Sequence, residues 1–88
     1  MTRYQRSADA LSADVGDDVV ALQAVRGFAY GMEGVTAAVW QGLEQPATLA
    51  ELVALLRESY DVDEELCRTE VAELLAQFIA EGLVEEVA

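Results

Sequence analysis

At 88 residues the chain has room for one domain, and a domain of that size buries only about 60–65% of the surface its unfolded form exposes, so nearly every apolar side chain is needed for one core. Seventeen acidic residues stand against five arginines, with no lysine or histidine, for a formal net charge of −12. That charge repels nucleic-acid backbones and anionic membranes and favours a neutral or basic partner, while a 53% hydrophobic content removes the chain from the disordered class.

Taken in chain order, residues 1–10 lack the apolar core of a signal peptide. The single Cys67 has no partner for an internal disulfide, which fits a reducing compartment. No window nears the ~18 uninterrupted apolar residues of a membrane helix. A cytoplasmic protein is the expectation, folded as one domain over 1–88.

Short β-type runs come first. Tyr4–Arg6 reads as a strand, and Gly16, Asp17 and Asp18 mark a turn. Val19–Gln23 follows as a second strand, Arg26-Gly27 as a hairpin turn, and Phe28–Met32 as a third. In that last strand Phe28, Tyr30 and Met32 share one face. Phe28 is expected in the sheet's core, whereas Tyr30 suits the core or the edge equally.

Helical periodicity takes over near residue 33. A first helix is predicted over Val35–Leu43, with Val35, Val39, Trp40 and Leu43 inward and Gln45-Pro46 as its stop. Trp40 at that spacing is a core residue. Thr48-Leu49-Ala50-Glu51 is a capping box that opens a second helix running to about Tyr60 and burying Leu49, Leu52, Val53 and Leu56. Asp61-Val62-Asp63-Glu64 starts a third helix, which reaches Glu81 and stops at Gly82. Its apolar stripe is Cys67, Val71, Leu74, Leu75 and Phe78. One flank carries Glu70, Gln77 and Glu81, a solvated edge. The other carries Arg68, Ala72 and Ile79, and its apolar character suits a groove. Leu83-Val84 returns as a short strand or packs behind the helix. The fold class is therefore α+β: about three antiparallel strands, then three helices, in a winged helix-turn-helix arrangement.

Catalytic chemistry has little to work with. Without histidine the commonest general base and metal ligand are both missing. Cys67 lies in an apolar stripe with nothing to activate a thiolate. The acidic run at Asp61, Asp63, Glu64 and Glu65 lacks the ligand spacing and central glycine of a calcium loop, so helix capping explains it. The glycines form no phosphate-cradling pattern. A binding protein without cofactor or metal is expected, not an enzyme.

Several stretches, in order, resemble the PqqD family of peptide-recognition proteins. Tyr4–Asp9 with Asp14–Val20 is similar to its opening, and Tyr30–Trp40 to its sheet-to-helix junction. Thr48–Leu52 with Tyr60–Asp63 resembles its middle, and Leu74-Leu75 through Gly82–Val84 its end. Glu33 and Thr36 depart from the Asn and Gly common at the junction. The resemblance implies an element that binds the leader segment of a ribosomally made precursor peptide by strand addition. It also implies delivery to a peptide-modifying enzyme: the leader peptidase and cyclase of a lasso-peptide system, towards which the reading leans, or a radical enzyme. On that model the edge is Phe28, Ala29, Tyr30, Gly31 and Met32, and the helix wall comprises Arg68, Ala72, Leu75 and Ile79, with Arg68 set to pair a leader carboxylate. Two alternatives stay open. A winged-helix DNA-binding regulator shares the architecture but needs a basic recognition helix. A homodimerisation module would use the apolar flank of the third helix.

Overall fold

The computed structural model describes residues 1–87. Four strands come first: β1 (Arg3–Arg6), β2 (Ala10–Val15), β3 (Asp18–Gln23) and β4 (Phe28–Met32). Helix α1 (Gly34–Gly42) follows, then the two-residue β5 (Ala47–Thr48), α2 (Leu49–Ser59), α3 (Glu64–Ala80) and β6 (Val84–Val87). The strands form two antiparallel sheets, ordered β2-β3-β4 and β5-β1-β6. The result is α+β and winged-helix-like, as the sequence predicts.

The first sheet differs from expectation in membership. Tyr4–Arg6 does not join β3 and β4; it lies between β5 and β6 in the second sheet, with Tyr4 opposite Ala47 and Glu86. The third member of the β3–β4 sheet is β2, which pairs along its whole length from Ala10↔Gln23 to Val15↔Asp18. β2 escapes a burial-based reading because Leu11, Ala13 and Val15 all face solvent. The β2–β3 turn has Gly16 at its first central position with φ +66°, the conformation that a tight hairpin of this kind demands and glycine supplies without strain.

β3 alternates cleanly, with Val19, Ala21 and Gln23 buried. Gln23 is a polar residue in the core with both ends of its amide bonded. Its Oε1 accepts from the Val25 and Arg26 backbone N–H groups at 2.8 Å each, and its Nε2 donates to the Gly82 carbonyl at 3.1 Å. One side chain thus closes the β3–β4 hairpin and joins it to the end of α3.

The helices follow their capping signals. Thr48 Oγ1 accepts from the Glu51 N–H at 3.1 Å while the Glu51 carboxylate accepts from the Thr48 N–H at 2.9 Å, completing the predicted capping box of α2. Asp63 caps α3 through Leu66 N–H at 3.1 Å. At the other end Gly82 takes φ +75°, its N–H bonds the Ile79 carbonyl, and the Leu83 N–H bonds the Phe78 carbonyl at 2.9 Å. That pair of bonds is a Schellman motif, which satisfies two carbonyls the helix would otherwise leave open.

Trp40, Leu43, Leu52, Val71, Leu75 and Leu83 are fully buried at the centre, and burial of each aliphatic side chain among them stabilises the fold by about 1.5–3 kcal/mol. Trp40 meets Phe78 of α3 edge-on at 5.7 Å and donates from Nε1 to Ser12 Oγ at 3.0 Å, so both sheets and α3 converge on it. Cys67 is buried in this core as a free thiol. No described helix is long and apolar enough to cross a membrane.

Candidate functional site

β4 has one strand neighbour, β3. Alternate backbone N–H and C=O groups on its far side therefore lack a ladder partner, and such an edge is a template for another strand. β2 is the opposite edge of the same sheet; the β4 edge shares a cleft with α3. Between them lies a cleft of about 140 Å³, lined by Tyr30, Gly31 and Met32 from β4, Thr36 from α1, and Leu74, Gln77 and Phe78 from α3 with its C-cap Glu81, and Leu83 behind. The α3 and cap residues recur at i, i+3, i+4 and i+7, which is one face of a helix. An edge that offers backbone hydrogen bonds beside a half-apolar wall can hold an extended peptide.

Of the five strand residues expected at the edge, Met32 is buried and floors the cleft, Tyr30 is half-buried at its rim, and Ala29 and Gly31 are exposed. Phe28 shares the inner face yet is 59% exposed, contrary to the expectation that it sits in the core. Its cross-strand neighbour on that face is the buried Gln23, and the nearby Arg26 guanidinium donates to the Ala80 carbonyl at 2.8 Å.

The expected helix wall is divided. Leu75 is in the core, Ile79 is half-buried against it, and Arg68 and Ala72 are exposed. None of the four lines the cleft. At 3.6 residues per turn Arg68, Ala72 and Ile79 lie on roughly the opposite flank from Gln77 and Glu81. The wall that faces β4 is the flank read from sequence as a solvated edge. Its signal was present in the spacing of Gln77 and Glu81 from Leu74, but only the packing of α3 decides which flank meets the sheet.

The rim is polarised. Partial desolvation raises the Tyr30 hydroxyl above its ordinary pKa, and the charge and hydrogen-bonding capacity of the neighbouring Glu81 carboxylate add to the effect, with Arg26 opposing. Among the described residues no group of His, Cys, Asp and Glu has the arrangement of a metal site.

The model of the family described as Coenzyme PQQ synthesis protein D (PqqD) matches residues 18–84, from β3 to the start of β6. The chain belongs to the PqqD family. Among solved structures, this PqqD-family chain is similar to TbiB1 in complex with the TbiA(beta) leader peptide, at 26% identity and a TM-score of 0.88, over 92% of this chain and 94% of that one. It also shares the fold of lasso peptide synthetase B1 complexed with the leader peptide, at 17% identity and a TM-score of 0.79, over 93% and 96% of the two chains. No curated protein matches the sequence.

Proposed function

We propose that this chain is a non-catalytic recognition element that captures the leader segment of a ribosomally synthesised precursor peptide. The leader adds as a strand to the β4 edge and lies against the Leu74–Glu81 face of α3. The observation that carries this is the open β4 edge alongside a cleft, in a family fold that matches TbiB1, a protein solved with a leader peptide, over 92% of the chain. Strand addition takes affinity from main-chain bonds and selectivity from the side-chain cleft. The captured leader is presented in the cytoplasm to a modifying enzyme, a lasso-type leader peptidase and cyclase or a radical enzyme acting on peptides.

Calorimetric titration with the leader of a precursor encoded beside this chain tests the proposal. Saturable one-to-one binding supports it; a folded chain that binds no leader contradicts it. A DNA-binding role has no support in the cation placement, since Arg68 is the sole cation on α3 against Glu64, Glu65, Glu70 and Glu73. Self-association has one observation in its favour: Leu11, Val15, Val20 and Leu22 are exposed together on the outer face of the β2-β3-β4 sheet. Sedimentation at several concentrations, without peptide, tests that reading.

A further inference from the structure

The β2-β3-β4 sheet buries Val19 and Ala21 on its inner face and leaves its outer face in solvent. Two cross-strand rows on the outer face, Leu11–Leu22–Ala29 and Ala13–Val20–Gly31, are exposed along their length. A solvated antiparallel face ordinarily carries polar side chains. Here Asp18, opposite Val15, is the only charged side chain the three strands place on that face. One step of the β3–β4 ladder beyond Val19↔Met32 sets Asp18 across from Glu33, whose backbone is extended. Both line an open hollow of about 380 Å³ with Val15, Val20 and Gly31. Like charges across a ladder destabilise it unless a cation answers them, and the arginines are placed elsewhere. Arg3 pairs with Glu51 and Arg57 with Glu64, while Arg6 is held at Trp40 and Arg26 at the Ala80 carbonyl. Arg68 is on α3.

From these features we infer that the outer sheet face is where the peptide-modifying enzyme docks, and that the enzyme meets it with an apolar patch edged by Lys or Arg. The inference rests on the leader-presentation reading and names the surface that reading needs. A hollow with apolar walls and two carboxylates takes the stem and head of one long cationic side chain. Size argues for a transient partner. Three strands about 4.8 Å apart and about 20 Å long make a face of roughly 280 Å², against about 800 Å² per partner in a stable complex. A leader strand added at β4 lies beside Ala29 and Gly31 and turns every second side chain to this same face, widening it by about a third. The surface is therefore continuous with the captured leader, and a partner that reads both favours the loaded chain over the empty one. A second copy fits less well, because it brings another chain of −12 and no free cation for Asp18 and Glu33.

The test is calorimetric titration of the leader-loaded chain with the modifying enzyme encoded beside it, with leader affinity measured separately and folding verified by circular dichroism. Val20→Thr combined with Leu22→Thr keeps β-branched residues in β3. It should weaken enzyme binding by roughly tenfold or more while leader affinity stays within about twofold. Leu66→Gln, which removes an exposed leucine of α3, should change neither. Asp18→Asn combined with Glu33→Gln should weaken enzyme binding by roughly two- to fivefold and reduce its salt dependence. Removing like charges should leave that variant at least as stable to urea as wild type, which separates a docking role from a structural one. Equal enzyme affinity across the variants, or no complex with leader-loaded wild type, overturns the inference and leaves capture standing. A wild type that dimerises in sedimentation, with the Val20→Thr, Leu22→Thr variant monomeric, gives the face to a second copy and also overturns it. No leader binding by wild type overturns capture itself, and the inference with it.

Discussion

The Arg6 guanidinium lies 4.5 Å from the centre of the Trp40 ring and donates to the Trp40 carbonyl oxygen at 2.6 Å. One side chain of β1 thus covers the aromatic face and satisfies a carbonyl near the end of α1. Burial lowers the Arg6 pKa, with the charges of Glu44 and Asp14 acting the other way, and the Arg6 Nε has no hydrogen-bond partner. Arg6→Met keeps an apolar stem over the ring while removing the cation. Loss of the carbonyl bond and the cation–π contact outweighs relief of the unpaired Nε, for a net destabilisation of about 1–2 kcal/mol. Urea unfolding of the two proteins checks this.

A second stability prediction concerns Gly82. Its φ of +75° is costly for any residue with a side chain, and an added Cβ would stand 3.0 Å from Gln23 Nε2 and 3.1 Å from Arg26 Cζ. Gly82→Ala should therefore cost about 1–3 kcal/mol. It should also loosen the β3–β4 hairpin, because Gln23 and Arg26 reach α3 through this corner. Faster amide exchange in residues 23–28 than in α2 would report the local effect; uniform destabilisation with an unchanged exchange pattern would contradict it.

The capping box makes a pH-dependent contribution. Bonds from the Thr48 backbone and side chain, and less strongly the charge of Arg3, hold the Glu51 carboxyl below its ordinary pKa of 4.5 in spite of some desolvation. A depressed folded-state pKa means that the contribution is fully present above the unfolded value and lost as pH falls through the lower folded value. Glu51→Gln should flatten the acid limb of the stability curve between about pH 5 and pH 3 relative to wild type. Thr48→Ala, which removes the cap itself, should cost about 1 kcal/mol at neutral pH.

Strand addition predicts a period of two along β4. Proline placed singly at Ala29, Tyr30 and Gly31 removes one backbone N–H each time. N–H groups alternate between β3 and the open edge, so one parity should abolish leader capture with the circular dichroism spectrum kept, and the other should disrupt the sheet. Normal capture by all three variants would exclude main-chain pairing on this edge.

The two flanks of α3 give opposite expectations. Arg68→Ala, on the flank away from the cleft, should change leader affinity by less than about twofold. Leu74→Ala, on the cleft wall, should weaken binding by about tenfold or more while costing stability only in part, since Leu74 is half-buried. A strong Arg68 effect would move the binding wall to the other side of the helix.

Much of this molecule is readable locally. Helix starts at Thr48 and Asp63, the stop at Gly82 and the burial of Trp40 and Leu56 all follow from caps and 3.6-residue periodicity, because those signals involve neighbours within one or two turns. Absence of histidine, a net charge of −12 and one cysteine bound the chemistry before any fold is known. What only the tertiary structure decided depends on residues far apart in sequence. β2 has no buried apolar stripe of its own and exists through pairing with β3. β1 is drawn from the expected sheet into pairing with β6, some 80 positions away. Phe28 is left exposed while Gln23, opposite it on β3, is buried and bonded to the Gly82 carbonyl at the end of α3. The choice of Gln77 and Glu81 over Arg68 and Ala72 as the cleft wall is likewise the docking angle of one helix on one sheet. Composition makes either flank of α3 plausible; the packing of Phe78 against Trp40 turns Glu81, rather than Arg68, towards Tyr30.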